Sequence, residues 1–111
     1  MAESFLYLTT TGRTSGEPRG IEIWFVEHAG RYYVVSERRE DSGWVKNLRK
    51  EPRVRFSVGT REAPEAAVAS TTGRGRVVSE DEAPDLVRAV RALMNAKYKW
   101  SDGLVVELVK E

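Results

Sequence analysis

Alternating hydrophobic and polar residues predict a chain made mainly of β-strands. The clearest alternation places Val54, Phe56 and Val58 on one face of a strand. Runs rich in β-branched and aromatic residues predict the other strands, at 5–11, 21–27, 31–36, 66–78 and 104–110. The connection at 28–31 is so short that the strands on either side of it should pair antiparallel. In the long segment 66–78, we expect Gly73-Arg74-Gly75 to interrupt the strand.

Two segments have helical rather than strand character. The spacing predicts a short helix over 43–50, capped by Ser42 or Asp41. A second, amphipathic helix is predicted to begin at Ser79, because Ser79 and Glu82 have the spacing of a capping box. A turn is expected at 60–65, around Pro64.

The order β-β-β-α-β-β-α-β, with about six strands, predicts a mainly β fold with two helices. The arrangement that suits this order is an antiparallel barrel with the helices packed on its edges. The chain has 111 residues, of which 41% are hydrophobic and 32% charged. This composition is typical of a globular protein, and the length fits a single domain spanning 1–111.

Charge and composition argue against several classes of function. The 18 basic and 17 acidic residues leave a formal net charge of +1, so neither a nucleic-acid partner nor an anionic membrane surface is expected. The chain has no cysteine and one histidine, which argues against thiolate catalysis and a metal site. No signal-peptide pattern and no apolar run of membrane-spanning length is found, so we expect a cytoplasmic protein with no membrane insertion.

The segment 9–19, Thr-Thr-Thr-Gly-Arg-Thr-Ser-Gly-Glu-Pro-Arg, carries candidate binding chemistry. Gly12 and Gly16 allow sharp backbone turns that would expose N–H groups. Two arginines and two hydroxyl residues would complete a nest for a phosphate or carboxylate: Arg13, Arg19, Thr14 and Ser15. A polar hairpin loop without a ligand is the alternative.

A second candidate lies on the first predicted helix, where Trp44 and Asn47 are three residues apart and share a face. An aromatic ring beside a carboxamide can stack on a planar ligand and bond its edge. Equally, Trp44 and Leu48 could be core anchors and Asn47 a structural cap. The segment 97–103 could form an aromatic wall with a cation, but a helix C-terminus with favourable lysines is the simpler interpretation.

Taken together, these motifs resemble the deazaflavin (F420)-dependent nitroreductase family. The resemblance begins with Thr-Thr-Thr-Gly-Arg-Thr-Ser-Gly and continues to Trp-Val-Lys-Asn-Leu at 44–48. It is strong over about 5–59 and looser from 60 to 111. Either motif alone is weak evidence, but the two in this order are fairly specific.

The resemblance implies an FMN-binding split β-barrel of the pyridoxamine 5'-phosphate oxidase type, usually a homodimer. It also implies F420, a deazaflavin that delivers hydride, with FMN as the alternative cofactor. Carried over to this chain, the family pattern assigns the phosphate or acidic tail of the cofactor to Arg13, Thr14, Ser15, Gly16 and Arg19. It assigns the ring system to Ser36, Trp44 and Asn47.

The leading functional hypothesis is an oxidoreductase that uses F420 or FMN to transfer hydride to a small organic acceptor such as a quinone, nitro compound or enone. In such enzymes the cofactor supplies the chemistry and the protein supplies orientation. The alternative is a non-catalytic flavin, haem or deazaflavin binding or carrier protein of the same fold. A third class, a cofactor-free structural or DNA-associated domain, has little support from the balanced charge.

Overall fold

The computed structural model describes residues 5–59 and 68–111, and the side chains of 71–111 within the second range. Its seven strands are β1 Phe5–Thr11, β2 Pro18–Ile23, β3 Phe25–His28, β4 Arg31–Ser36, β5 Arg53–Gly59, β6 Val68–Val77 and β7 Leu104–Lys110. They form one curled antiparallel sheet in the order β2-β1-β5-β6-β7-β4-β3. Two helices accompany the sheet, α1 Gly43–Lys50 and α2 Pro84–Tyr98. The prediction of a mainly β split barrel with two helices is confirmed, whereas the turn expected at 60–65 lies outside the described residues.

The segment predicted as one strand over 21–27 forms two strands, so the described residues contain seven strands rather than about six. The break falls at Trp24, between β2 and β3. These are the two edge strands of the sheet, so the edges of the curled sheet meet at Trp24. The Tyr98 hydroxyl of α2 holds the break by accepting a hydrogen bond from the Phe25 N–H (3.2 Å) and donating one to the Phe25 carbonyl (3.0 Å).

The inside of the barrel is filled by alternate residues of the strands, as the period of two predicts. Val54, Phe56 and Val58 all face inward, which confirms the clearest pattern in the sequence. Leu48 of α1 packs into the same core, so this helix is anchored to the barrel. The buried members of the inner core are Leu6, Leu8, Phe25, Tyr32, Val34, Leu48, Val54, Phe56, Val58, Val106 and Leu108.

A second core lies between the outer face of the sheet and α2. It consists of Val26, Tyr33, Val35, Val78, Val87, Val90, Met94 and Val105. Successive residues of β4 alternate between the inner and the outer core. Because both faces of β4 are buried, its sequence is a continuous apolar run rather than an alternating one.

The short connection between β3 and β4 is a two-residue hairpin turn, as predicted. Ala29 and Gly30 both have positive φ, 52° and 79°, and His28 pairs with Arg31 on either side of them. Positive φ at both central positions is the requirement of a type I′ turn, whose twist matches that of the paired strands.

The expectation that Gly73-Arg74-Gly75 interrupts a strand is wrong, because β6 runs through all three residues. A Cβ on Gly73 would overlap the carbonyl oxygen of Val109 on the neighbouring strand, and one on Gly75 would overlap the Leu48 side chain. These glycines allow close approach of β7 and α1 to β6 rather than ending the strand.

The capping box predicted at Ser79 is also wrong. The helix begins five residues later, at Pro84, whose missing N–H costs nothing in a first turn. The Ser79 hydroxyl instead accepts a hydrogen bond from the Asp81 N–H (3.1 Å) in the preceding turn. The first helix begins at Gly43 as predicted, but the Ser42 hydroxyl makes no bond to the helix backbone.

Candidate functional site

A cavity of about 670 Å³ opens beside the split between the two edge strands. Pockets of this size hold cofactor-sized ligands. Its walls come from β1, β2, β4, the segment after β4, α1 and the residues that follow α2. The lining residues are Phe5, Ile21, Glu22, Ile23, Trp24, Val35, Ser36, Glu37, Arg38, Ser42, Trp44 and Trp100. They include all three tryptophans of the chain.

The aromatic wall of this cavity is braced by the end of α2. The Trp24 ring stacks on the Tyr98 ring, with centroids 4.5 Å apart and planes 3° from parallel. Trp100 meets Trp24 edge to face at 6.3 Å. Because Tyr98 is also bonded to the backbone of Phe25, it fixes both the ring and the strand break beside it.

Sequence reasoning did not assign Trp24 and Trp100 to the site. The segment 97–103 contains a helix end at Tyr98, as the simpler interpretation predicted, and Trp100 also lines the cavity. The walls are assembled from distant parts of the chain, so motif spacing could not reveal them. The usable signal was the presence of three tryptophans in 111 residues, since tryptophan is enriched where a side chain is apolar at one end and solvated at the other.

A closed hydrogen-bonded segment after β4 supplies the polar side of the cavity. The Ser36 hydroxyl lies 2.9 Å from the Arg39 carbonyl oxygen and 2.7 Å from the Ser42 hydroxyl. Arg39 also bonds Asp102 at 3.0 Å, which ties this segment to the turn before β7. Arg38 is exposed and brings a positive charge to the cavity rim.

The loop between β1 and β2 is a tight turn whose glycine N–H groups are both used internally. The Gly12 N–H donates to the Glu17 carbonyl (2.7 Å), and the Gly16 N–H donates to the Gly12 carbonyl (2.8 Å). The N–H groups of these two glycines are therefore not available to a ligand in this conformation of the loop. The Ser15 hydroxyl accepts from the Glu17 N–H at 3.2 Å. The predicted tail-binding residues are all exposed: Arg13, Thr14, Ser15, Gly16 and Arg19.

Asn47 connects this loop to α1. Its side-chain oxygen accepts from the Arg13 backbone N–H (3.1 Å) and from the Arg13 guanidinium (2.8 Å). Its side-chain nitrogen donates to the Thr10 hydroxyl (3.2 Å). The Lys50 ammonium bonds the Arg13 carbonyl (2.6 Å), and the Arg13 guanidinium also bonds the Gly43 carbonyl (3.3 Å). The loop is thus pinned to the helix that carries Trp44.

The structure brings together some of the residues that were predicted to bind the cofactor. Ser36 and Trp44 line the first cavity, whereas Asn47 does not belong to its lining among the described residues. Arg13 lies against the first turn of α1, next to cavity residues Ser42 and Trp44. Gly16 lines a different cavity, of about 390 Å³, together with residues that include Thr9, Thr10, Arg53 and Arg55.

A buried carboxylate forms a separate polar cluster on the outer face of β7. Glu107 accepts hydrogen bonds from Tyr33 (2.8 Å), Arg76 (2.8 Å) and Arg31 (3.3 Å). Burial acts to raise the Glu107 pKa, but the hydrogen bonds from Arg76 and Tyr33 outweigh it, so this pKa is lowered. Burial and the bond to Glu107 raise the Tyr33 pKa to about 12. None of these residues lines the first cavity.

Neither a metal-binding cluster of side chains nor a membrane-spanning helix is found over 5–59 and 68–111. No group of three histidine or acidic side chains in these ranges is arranged to hold a metal ion. No helix within them combines the length and apolar character needed to cross a membrane.

Solved structures with similar folds have names that refer to different ligands. The haem storage protein HutZ from Vibrio cholerae superposes with a TM-score of 0.74 at 19% identity, covering 96% of this chain and 81% of HutZ. An FAD-binding protein from Mesorhizobium loti gives 0.73 at 13% identity, covering 99% and 83%. A protein named F420 reductase gives 0.64 at 18% identity, covering 96% and 86%. At these identities the likeness establishes the fold.

The family is established by sequence. A search of curated proteins gives no match. A family model described as F420H(2)-dependent quinone reductase matches residues 1–101, most of the chain. The family's description contains the cofactor that the sequence motifs imply, F420, and it agrees with the predicted resemblance. The chain is therefore a member of the F420H(2)-dependent quinone reductase family.

Proposed function

We propose that this protein is an oxidoreductase that binds F420, or alternatively FMN, and transfers hydride to a small organic acceptor such as a quinone, nitro compound or enone. The observation that carries the proposal is the cavity beside the strand break. It gathers all three tryptophans next to the helix that anchors the Arg13 loop. A planar ring and an anionic tail would each meet suitable residues there.

The cavity suits a flat aromatic ring. Trp24, Trp44 and Trp100 offer indole faces, and Phe5 and Val35 add apolar surface. Stacking on fixed aromatic rings orients a ligand at little entropic cost. The bracing of Trp24 by Tyr98 at 4.5 Å keeps that surface in place before the ligand arrives. Apolar walls also displace water from the ring face, which strengthens polar contacts at the ring edge.

The loop between β1 and β2 suits the anionic part. Arg13 is held against α1 by Asn47 and the Gly43 carbonyl, and Arg19 is exposed nearby on β2. Thr14 and Ser15 are exposed at the tip of the loop, where they can donate to phosphate oxygens. We therefore assign the cofactor tail to this loop and its ring to Ser36 and Trp44. Asn47 acts as the residue that positions Arg13.

When bound, F420 or FMN supplies the hydride chemistry. The residues of this chain bind and orient the two reactants and keep water from them. Arg38 is the cation of the cavity lining, and a guanidinium can hold an oxygen atom of the acceptor by a charge-assisted hydrogen bond.

The test follows the intrinsic tryptophan emission, because every tryptophan of the chain lines the cavity. Titration with F420 or FMN should quench this emission with a dissociation constant in the micromolar range or below. Reduced F420 should then be oxidised by a soluble quinone only when the protein is present. A matched pair of variants, Trp44→Ala and the exposed Arg49→Ala on the same helix, separates loss of the cavity surface from general damage.

A binding protein without turnover is the second candidate, and the same experiment decides between the two. Quenching without any acceleration of acceptor reduction would favour it. Among the possible ligands of such a binding protein, haem is the least suitable. The chain's single histidine, His28, lies on β3 at the hairpin and outside the lining of the first cavity. Haem iron is usually held by histidine, cysteine, methionine or tyrosine. Failure of F420, FMN and haem to quench would refute both candidates.

A further inference from the structure

Two serine hydroxyls in the first cavity have hydrogen bonds of fixed direction. The Ser36 hydroxyl has one proton, and it lies 2.9 Å from the Arg39 carbonyl oxygen, which can only accept. The Ser36 oxygen also lies 2.7 Å from the Ser42 oxygen. Because the Ser36 proton is given to Arg39, the proton between the two serines must come from Ser42.

Both hydroxyl protons are therefore used within the segment 36–42. Ser36 and Ser42 are 1% and 8% exposed, and both line the cavity. Within the described part of the chain, no N–H group of α1 bonds the Ser42 hydroxyl oxygen. What this oxygen still offers is a lone pair, so the serine pair can accept a hydrogen bond from a ligand but cannot donate one.

The other polar side chains that line the first cavity are either hydrogen-bond donors or acceptors exposed to water. The side-chain donors among the lining residues are the Arg38 guanidinium and three indole N–H groups. The carboxylates of Glu22 and Glu37 are exposed to water, where hydration weakens any bond to a ligand. Among the lining side chains, Ser36 and Ser42 are thus the sheltered acceptors, and Ser42 is the more accessible of the two. A ring edge that fits must carry an N–H or O–H group at that point.

We propose that the Ser42 hydroxyl is a specificity-determining acceptor for the imide N–H of the cofactor ring. Flavin and deazaflavin rings carry this N–H between two carbonyl groups, so a neighbouring donor such as Arg38 complements the same edge. The inference rests on the proposed function, since it places a flavin-type ring in this cavity. A ligand edge that presents only carbonyl or nitro oxygen atoms meets lone pairs at Ser42 and is disfavoured.

The experiment compares two probes that differ only at this N–H. They are 5-deazaflavin mononucleotide and its N3-methyl derivative, titrated by tryptophan quenching. A buried neutral hydrogen bond is worth about 1 kcal/mol, so the wild type should bind the parent about five- to ten-fold more tightly than the methylated ring. Ser42→Ala should reduce that preference to less than two-fold. Ser42→Thr, which keeps the hydroxyl, should retain it.

A second variant lets the Ser42 hydroxyl donate a hydrogen bond to the ligand instead of accepting one. Ser36→Ala removes the group to which Ser42 donates, so the Ser42 proton becomes free to point at the ligand and the preference should again shrink. If Ser42 were only structural, Ser42→Ala would weaken both probes equally and leave the five- to ten-fold ratio intact, which would overturn the inference. Equal binding of both probes to the wild type would also overturn it, while leaving the proposed function standing. No binding of either probe to the wild type would overturn both.

Discussion

Replacing Asn47 with leucine tests how the cofactor loop is held. Asn47 is 5% exposed and makes three hydrogen bonds that join α1 to β1 and to the loop after it. Leucine has a similar volume and no polar atoms, so it removes these bonds without leaving a cavity. The change should therefore damage the apo-protein first and affect the cofactor through Arg13.

The size of the effect follows from the individual bonds. Loss of the bonds to the Arg13 N–H and the Thr10 hydroxyl costs about 1 kcal/mol each. The bond to the Arg13 guanidinium is charge-assisted, but Arg13 is exposed, so solvent replaces most of it and about 0.5 kcal/mol is lost. The higher helix propensity of leucine returns about 0.5 kcal/mol. We expect a net loss of about 2 kcal/mol in the free energy of unfolding, or roughly 10 °C in Tm.

The assay is urea and thermal unfolding of the apo-protein, followed by cofactor titration at a temperature where the variant is fully folded. Asn47→Asp is the matched variant, because it keeps the acceptor for Arg13 and should lose less than half as much stability. Arg49→Ala, exposed on the same helix, should change the free energy by less than about 0.5 kcal/mol. If Asn47→Leu matched Arg49→Ala in apo stability yet lost cofactor affinity, the structural role would be refuted and direct contact with the ring favoured.

Three further outcomes are expected. Arg19→Ala should weaken F420 or FMN binding about ten-fold with an unchanged apo Tm, since its side chain is 60% exposed; Arg13→Ala should lower both affinity and Tm because Arg13 also bonds Asn47. The lowered Glu107 pKa means that its carboxylate stabilises the fold above the ordinary glutamate value of 4.5 and that this stabilisation is lost as pH falls through the lowered value. Glu107→Gln should thus have a lower Tm than wild type at pH 7, with a smaller difference at pH 3. The homodimer that the family resemblance implies should give twice the 12.5 kDa chain mass in light scattering, and a monomer mass at all concentrations would contradict it.

Local patterns in the sequence predicted most strands and turns correctly. They did not predict features that depend on packing between distant segments. The alternation over 54–58 and the turn at Ala29-Gly30 follow from interactions between near neighbours, and both are as predicted. The break at Trp24 and the continuity of β6 through Gly73 depend on Tyr98 and Val109, which are far away in the sequence. Such tertiary constraints leave no periodic signal.

The same distinction holds for the site. Trp44 and Asn47 lie on one helix at the predicted spacing, but only Trp44 lines the cavity, because Asn47 is drawn to Arg13 and Thr10. The tryptophans at 24 and 100 reach the cavity through a strand break and a helix end that pack together. A motif identified the family, and the structure was needed to find the walls of the cavity.

The position of β7 in the sheet affects the order in which the protein can fold. It follows every other strand in the sequence, yet it pairs with β6 on one side and β4 on the other. Until β7 is synthesised, no strand joins the β3–β4 hairpin to β6. One edge of β4 and one edge of β6 therefore stay unpaired. Cavity residues Phe5 and Val35 lie on opposite sides of that gap. A nascent chain should therefore gain the ability to bind its ligand only after residues 104–110 leave the ribosome, and folding should be slow for its length.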